Sequence, residues 1–170
     1  MALVPHPSTP GKAVRSIVVE VTRNHEALAL RYVLSGDLER LRIPAAGLPA
    51  RVDGLWRHTC FELFILGAAG YREFNFSPSG AWAAWRFTGY REGQVPLECA
   101  PPKIAARAAE AVLELQATVA AIPGRIRVAC TAVVEEAGGS LSYWALRHPL
   151  ARPDFHHEGG FALELDEIRH

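Results

Sequence analysis

Residues 55–87 (LWRHTCFELFILGAAGYREFNFSPSGAWAAWRF) constrain the fold more than any other stretch. Two alternating runs, 58–66 and 71–77, flank Gly67-Ala68-Ala69-Gly70, a short connection with glycines where a hairpin needs positive φ. Placing Leu66 opposite Tyr71 sets Phe61 against Phe76 and Leu63 against Phe74. The same register sets Glu62 against Asn75 and Phe64 against Glu73. Side chains alternate along a strand, so one face is apolar and the other mixed. A slip by one residue would send Phe61, Leu63 and Phe74 into water, so this register is strongly specified.

The turn Pro78-Ser79-Gly80-Ala81 leads into a third strand, 82–88. With Ser77 facing Trp82, Phe74 meets Trp85 on the apolar face and Glu73 meets Arg86 on the mixed one. The mixed face then carries His58, Glu62, Glu73, Asn75, Trp82 and Arg86. Its plainer reading is a solvated sheet face with one cross-strand ion pair, contributing about a few tenths of a kcal/mol. A Trp on such a face exposes much apolar area without structural return, which favours a binding surface. An indole stacks on the C–H face of a polyhydroxylated ring while carboxylates, an amide and a guanidinium bond its hydroxyls.

Elsewhere, runs 15–21, 27–33, 112–119, 125–134, 141–147 and 161–165 alternate as strands, and 38–43 is a shorter alternating piece. Residues 105–111 are alanine-rich, which favours helix, yet they precede the strand-like 112–119, so helix and strand both remain open there. Residues 1–14, with Pro5, Pro7 and Pro10, read as a loose leader to a single domain spanning 15–170. About ten short strands separated by Gly/Pro turns predict an all-β, two-sheet antiparallel β-sandwich.

Lys plus Arg number 18 and so do Asp plus Glu, leaving no basic excess to neutralise phosphates. No nucleic-acid partner is therefore expected, while weak mutual repulsion permits self-association. No run approaches the ~18 apolar residues of a membrane span, and the first residues lack the pattern of an export signal. Cys60, Cys99 and Cys130 are odd in number and widely spaced, as free thiols of a cytoplasmic protein would be.

For chemistry, His156 and His157 sit in the loop Pro153-Asp154-Phe155-His156-His157-Glu158-Gly159-Gly160 and reach toward the rim of the mixed face. A metal would need His58, His148 or Asp154 recruited from a distance, with no HxH or HExxH spacing, so none is expected. Ser77 and Ser79 lack a GxSxG elbow, and Cys60 lacks an electropositive setting. Glu62 and Glu73 have the residue types of a glycosidase pair without a second motif. Trp56, entering the first strand, serves either as a packing lid or as a ligand platform. An enzyme on this surface would use His58 or His156 as general base; a scaffold would pair the whole face with another protein.

The arrangement Leu55-Trp56, Cys60-Phe61-Glu62-Leu63-Phe64 and Tyr71-Arg72-Glu73-Phe74 through Pro78-Ser79-Gly80 resembles the DOMON-like proteins. It is similar, more distantly, to family 9 carbohydrate-binding modules. The resemblance spans residues 15–165 and implies a jelly-roll-like sandwich that binds haem or sugar on one sheet or at its edge. Haem ligation in DOMON domains uses Met and His, and Met1 is the only methionine here; the expectation is a sugar-like ligand and no cofactor. The expected site is Trp56, His58, Glu62, Glu73, Asn75, Trp82, Arg86, His156 and His157.

Overall fold

The structure, a computed structural model, describes residues 1–168. Its strands begin with β1 (Ala2–Pro5), β2 (Val14–Arg23), β3 (Ala27–Gly36), β4 (Cys60–Gly67), β5 (Gly70–Phe76) and β6 (Trp82–Phe87). They continue with β7 (Val95–Pro96), β8 (Lys103–Ala109), β9 (Val112–Ala120), β10 (Ile126–Glu135), β11 (Leu141–Ala145) and β12 (Leu163–Leu165). Neighbouring strands run antiparallel in the order β7-β6-β5-β4-β10-β11-β1-β2-β3-β9-β8, with β12 beside β10. The sheet curls on itself, and its two halves face each other as a β-sandwich.

The inner faces follow from sequence alternation. In β3, Leu28, Leu30, Tyr32 and Leu34 point inward, and in β9 Leu113, Leu115, Ala117 and Val119 do. They meet Phe61 and Leu63 of β4, Phe74 and Phe76 of β5, and Val128 and Cys130 of β10 in one apolar cluster. The Tyr32 hydroxyl crosses between the layers and donates to the Glu62 carbonyl at 2.6 Å. A buried hydroxyl needs such a partner, and here it fixes the height of Glu62 on the opposite sheet.

Two local expectations are corrected and one open choice is decided. The leader is not loose: Ala2–Pro5 forms β1, pairing Val4 with Ala145 and Leu3 with Ile17, and so joins the two halves of the sheet. Leu3 enters the core, and Pro5 stands at the strand end, where its missing N–H costs no ladder bond. Residues 103–109 form the edge strand β8 rather than a helix, because pairing with β9 satisfies that strand's outer hydrogen-bonding groups. Within 38–43, Leu38–Arg40 is a 3-10 turn followed by a single bridge from Leu41 to Glu136.

The β4–β5 register is the one read from the hairpin: Phe61 faces Phe76, Glu62 faces Asn75, Leu63 faces Phe74 and Phe64 faces Glu73. The β5–β6 register differs by one residue, with Phe76 facing Trp82, Phe74 facing Ala84 and Glu73 facing Trp85. The turn is one residue longer than expected. Ser77 accepts from Gly80 N–H and donates its own N–H to Ala81 O, both at 2.9 Å, with Gly80 at φ +91°. Every β6 side chain therefore changes face. Trp82 is 6% exposed in the inner core, beneath the Arg51 guanidinium at 5.0 Å. Trp85 takes the outer face, and Arg86 follows the parity of Trp82.

Candidate functional site

The outer face of β4, β5, β6 and β10 is covered rather than solvated. Cys60–Ile65 of β4 are buried on both sides, as is nearly all of β10. The cover consists of the 3-10 turn Leu55–Arg57, residues 88–94 and residues 153–158. Between sheet and cover lies a cavity of about 780 Å³, within the range of small-molecule sites. Its floor is Glu62 and Phe64 of β4, Glu73 of β5 and Trp85 of β6. Tyr143 of β11 joins from the side, and Trp56, Arg91, Asp154, Phe155 and His156 close it from the loops.

Two carboxyls dominate this floor. Glu62 is 2% exposed and Glu73 6%. Thr131 Oγ1 donates to Glu62 Oε2 at 3.0 Å, and Asn75 Nδ2 donates to Glu73 Oε1 at 2.9 Å. Burial, and then repulsion from Glu73, push Glu62 well above the usual carboxylate range, with the Thr131 bond opposing. Burial also raises Glu73, against the Asn75 bond and the charge of Arg91. Both carboxyls therefore resist ionisation, and each is sensitive to the charge of its neighbours.

His156 is the third polar group of the floor. Burial, and then the charge of Arg91, lower its imidazole to about 4, outweighing Asp154. The ring is neutral at physiological pH, so its 3.7 Å approach to Glu73 Oε2 is a contact and not an ion pair. Tyr71 Oη accepts from Arg91 N–H at 3.2 Å and lies 2.8 Å from His156 Nδ1. With Tyr71 donating to Nδ1, the ring proton sits on Nε2 and faces Glu73. Tyr71 is itself held by stacking on Phe87, 4.5 Å apart and 8° from parallel.

Asp154 pins the cover. Its side chain is 1% exposed and accepts from Tyr90 Oη, from Arg91 Nη2 at 2.9 Å and from His156 N–H at 3.0 Å. Burial pushes this carboxyl up, but the bonds from Tyr90, Arg91 and the His156 backbone outweigh it and hold Asp154 below the usual range. Residues 88–94 and 153–158 of the cover thus hang on one carboxylate.

Of the residues expected from sequence, Glu62, Glu73, Trp56 and His156 line the cavity, with Asn75 behind Glu73. Trp56 is 49% exposed at the mouth, with the Arg57 guanidinium 5.2 Å from its ring. Trp82 and Arg86 are on the wrong side because of the β6 register. His58 is turned away: its Nδ1 lies 2.8 Å from Glu135 Oε2, and that bond lowers the Glu135 carboxyl, with Arg42 assisting. His157 caps the 3-10 turn Glu158–Gly160, accepting from Gly159 N–H at 3.1 Å. Trp85, Arg91 and Tyr143 were missed. Only the turn length ahead of β6 could have signalled Trp85; Arg91 and Tyr143 arrive through loop and sheet neighbours far off in sequence. Among the described residues, no group of three or more His, Cys, Asp or Glu is gathered closely enough to hold a metal ion.

No family model matches the chain, and neither does any curated protein. Among solved structures, a family 9 carbohydrate-binding module from Caldicellulosiruptor kristjanssonii, in complex with glucose, is similar with a TM-score of 0.50. The match covers 85% of this chain and 73% of that module at 6% sequence identity. The likeness establishes the fold alone: the two chains share a β-sandwich.

Proposed function

We propose that the protein is a non-catalytic carbohydrate-binding β-sandwich whose ligand enters the cavity over Glu62 and Glu73. The observation that carries this is the placement of Trp85 opposite Glu73, with Glu62 on the same floor, in one covered cavity. An indole face takes the apolar C–H side of a sugar ring, while the carboxyl oxygens of Glu62 and Glu73 hydrogen-bond its hydroxyls. A volume of about 780 Å³ suits one or two rings. The glucose held by the similarly folded module supports the same ligand class, and the DOMON-like motif of residues 55–80 is consistent with it.

Two features support binding over catalysis. His156, the nearest general base, is a weak one at about 4, and the Tyr71 hydroxyl engages its Nδ1. Haem is not part of the proposal, since His58 is committed to Glu135 and His156 to Tyr71. We place the protein in the cytoplasm on its three free thiols, of which Cys60 and Cys130 are buried.

A calorimetric titration with glucose and short glucans tests the reading. Saturable binding is expected, weakened about tenfold or more by Trp85→Ala or Glu73→Gln, a loss of roughly 1.4 kcal/mol or more. Folded protein that binds none of these sugars, or a Trp85→Ala variant that binds them unchanged, would refute it.

A further inference from the structure

We propose that the cavity selects an amino sugar, seating the ligand's primary ammonium between the Glu62 and Glu73 carboxyls while Trp85 lies against the ring. The inference rests on the sugar-site reading and adds the charge of the ligand.

The geometry supplies the seat. Glu62 faces Asn75 across the β4–β5 ladder, and Glu73 lies two residues from Asn75, so the two glutamates are diagonal neighbours on one face. Diagonal Cβ atoms stand about 7 Å apart. That leaves room for one nitrogen to reach both carboxyls at about 2.8 Å. Each glutamate receives one uncharged donor, Thr131 or Asn75. Glu62 is 2% exposed, yet its Oε1 accepts no bond from the described residues and is not sealed from the cavity that Glu62 lines.

Charge points the same way. Among the described residues, Glu62 forms no ion pair with any Lys, Arg or His. Arg91, whose charge acts on Glu73, is already engaged by Asp154 at 2.9 Å. A buried carboxylate without a cation is costly, and an arriving cation recovers that cost. Phe64, Trp85, Tyr143 and Phe155 supply aromatic walls, which favour an ammonium over an anion.

The groups facing the pair permit this exchange. On the strands these are Cys60 of β4, Tyr71 of β5 and Tyr143 of β11, with Tyr32 of β3 behind the Glu62 backbone. From the cover come Asp53, Arg57, Arg91, Asp154 and His156. Arg91 is offset by Asp154, and His156 is neutral. The ammonium's three N–H groups can donate to the carboxyl oxygens, and because burial raises both carboxyls, seating a cation between them favours their ionised form and releases protons to solvent. No bond is made or broken in the ligand.

Calorimetry with glucosamine, N-acetylglucosamine and glucose at about pH 6, where a sugar amine carries its proton, tests this in buffers of different ionisation enthalpy. Glucosamine is expected to bind about tenfold or more tighter than the two neutral sugars, with net proton release seen for glucosamine alone. Glu62→Gln should weaken glucosamine more than glucose, and Glu73→Gln provides the second variant should the first fold poorly. Equal affinities, or no proton release with glucosamine, would overturn the amino-sugar assignment and leave the sugar site standing. Glucosamine binding without glucose binding would uphold the assignment and overturn the neutral-sugar reading. No binding of any of the three would overturn both.

Discussion

The two faces of β4 carry opposite solutions to burial. Inward, Phe61, Leu63 and Ile65 pack into the main core, where the gain is area removed from water and every void costs contacts. Outward, Cys60, Glu62 and Phe64 are as buried, but under loops that leave a cavity of about 780 Å³. Polar groups on that side are each satisfied by one neighbour, Thr131 for Glu62 and Asn75 for Glu73. The inner face is filled and the outer face is furnished. A strand buried on both sides with carboxyls on only one is therefore a sign of a site, whereas an ordinary antiparallel sheet solvates its second face.

This contrast makes graded predictions. Phe61→Ala, at a fully buried inner position, should cost about 3–5 kcal/mol in urea unfolding, and Trp82→Ala should fall in the same range. Trp85→Ala, beside existing empty space, should cost about 2 kcal/mol or less while weakening sugar binding about tenfold or more, which Trp82→Ala should leave unchanged in the folded fraction. Equal stability losses at Trp82 and Trp85 would erase the distinction between filled and furnished faces.

Asp154→Ala comes next. It frees Tyr90, Arg91 and the His156 N–H at once, and about 2 kcal/mol is expected from losing hydrogen bonds to a charged group. Amide exchange should rise in residues 88–94 and 153–158 while β3 and β9 stay protected. Exchange rising uniformly across the sheet would show that the cover is not a separate layer.

The pH dependence separates the faces further. Glu62 and Glu73 are raised from the ordinary 4.5, so above that pH the folded state holds protons that the unfolded chain has lost. Their contribution to stability falls as pH rises through the folded values. His156 has the opposite sign: between its ordinary 6.5 and about 4 the unfolded chain takes up a proton that the folded ring refuses. Stability is lost as pH falls through that window. Glu62→Gln should therefore gain on the wild type as pH rises, and His156→Gln should flatten the acid limb. Urea midpoints at several pH values measure both; curves parallel to the wild type would contradict the assignment. The smallest effect is expected at Arg86→Ala, exposed on the inner-face parity at the strand's end, within about 0.5 kcal/mol and without change in sugar binding.

Much of this was legible in the sequence, for reasons that differ by element. The β4–β5 hairpin was readable to the residue because a slip would expose Phe61, Leu63 and Phe74. The sandwich followed from the count of short alternating strands, and Glu62, Glu73 and Asn75 from parity. The β6 register was not readable, since WAAWRF places a Trp on either face with equal ease and only the turn geometry at Ser77–Ala81 decides. Helix or strand could not be decided for residues 105–111, because alanine favours helix only weakly and the unpaired edge of β9 settles the matter. The cover was invisible: Arg91 and Asp154 meet across 63 residues of sequence, and no local pattern encodes such a contact.

The four tryptophans give the most direct test of the account. Each indole N–H has its own signal in a ¹H–¹⁵N correlation spectrum. On titration with glucose or glucosamine, the Trp85 and Trp56 signals, on the cavity, should move in a saturable way. Those of Trp82 and Trp144, both in the inner core, should stay in place. Movement of Trp82 with Trp85 unmoved would contradict the account at its centre.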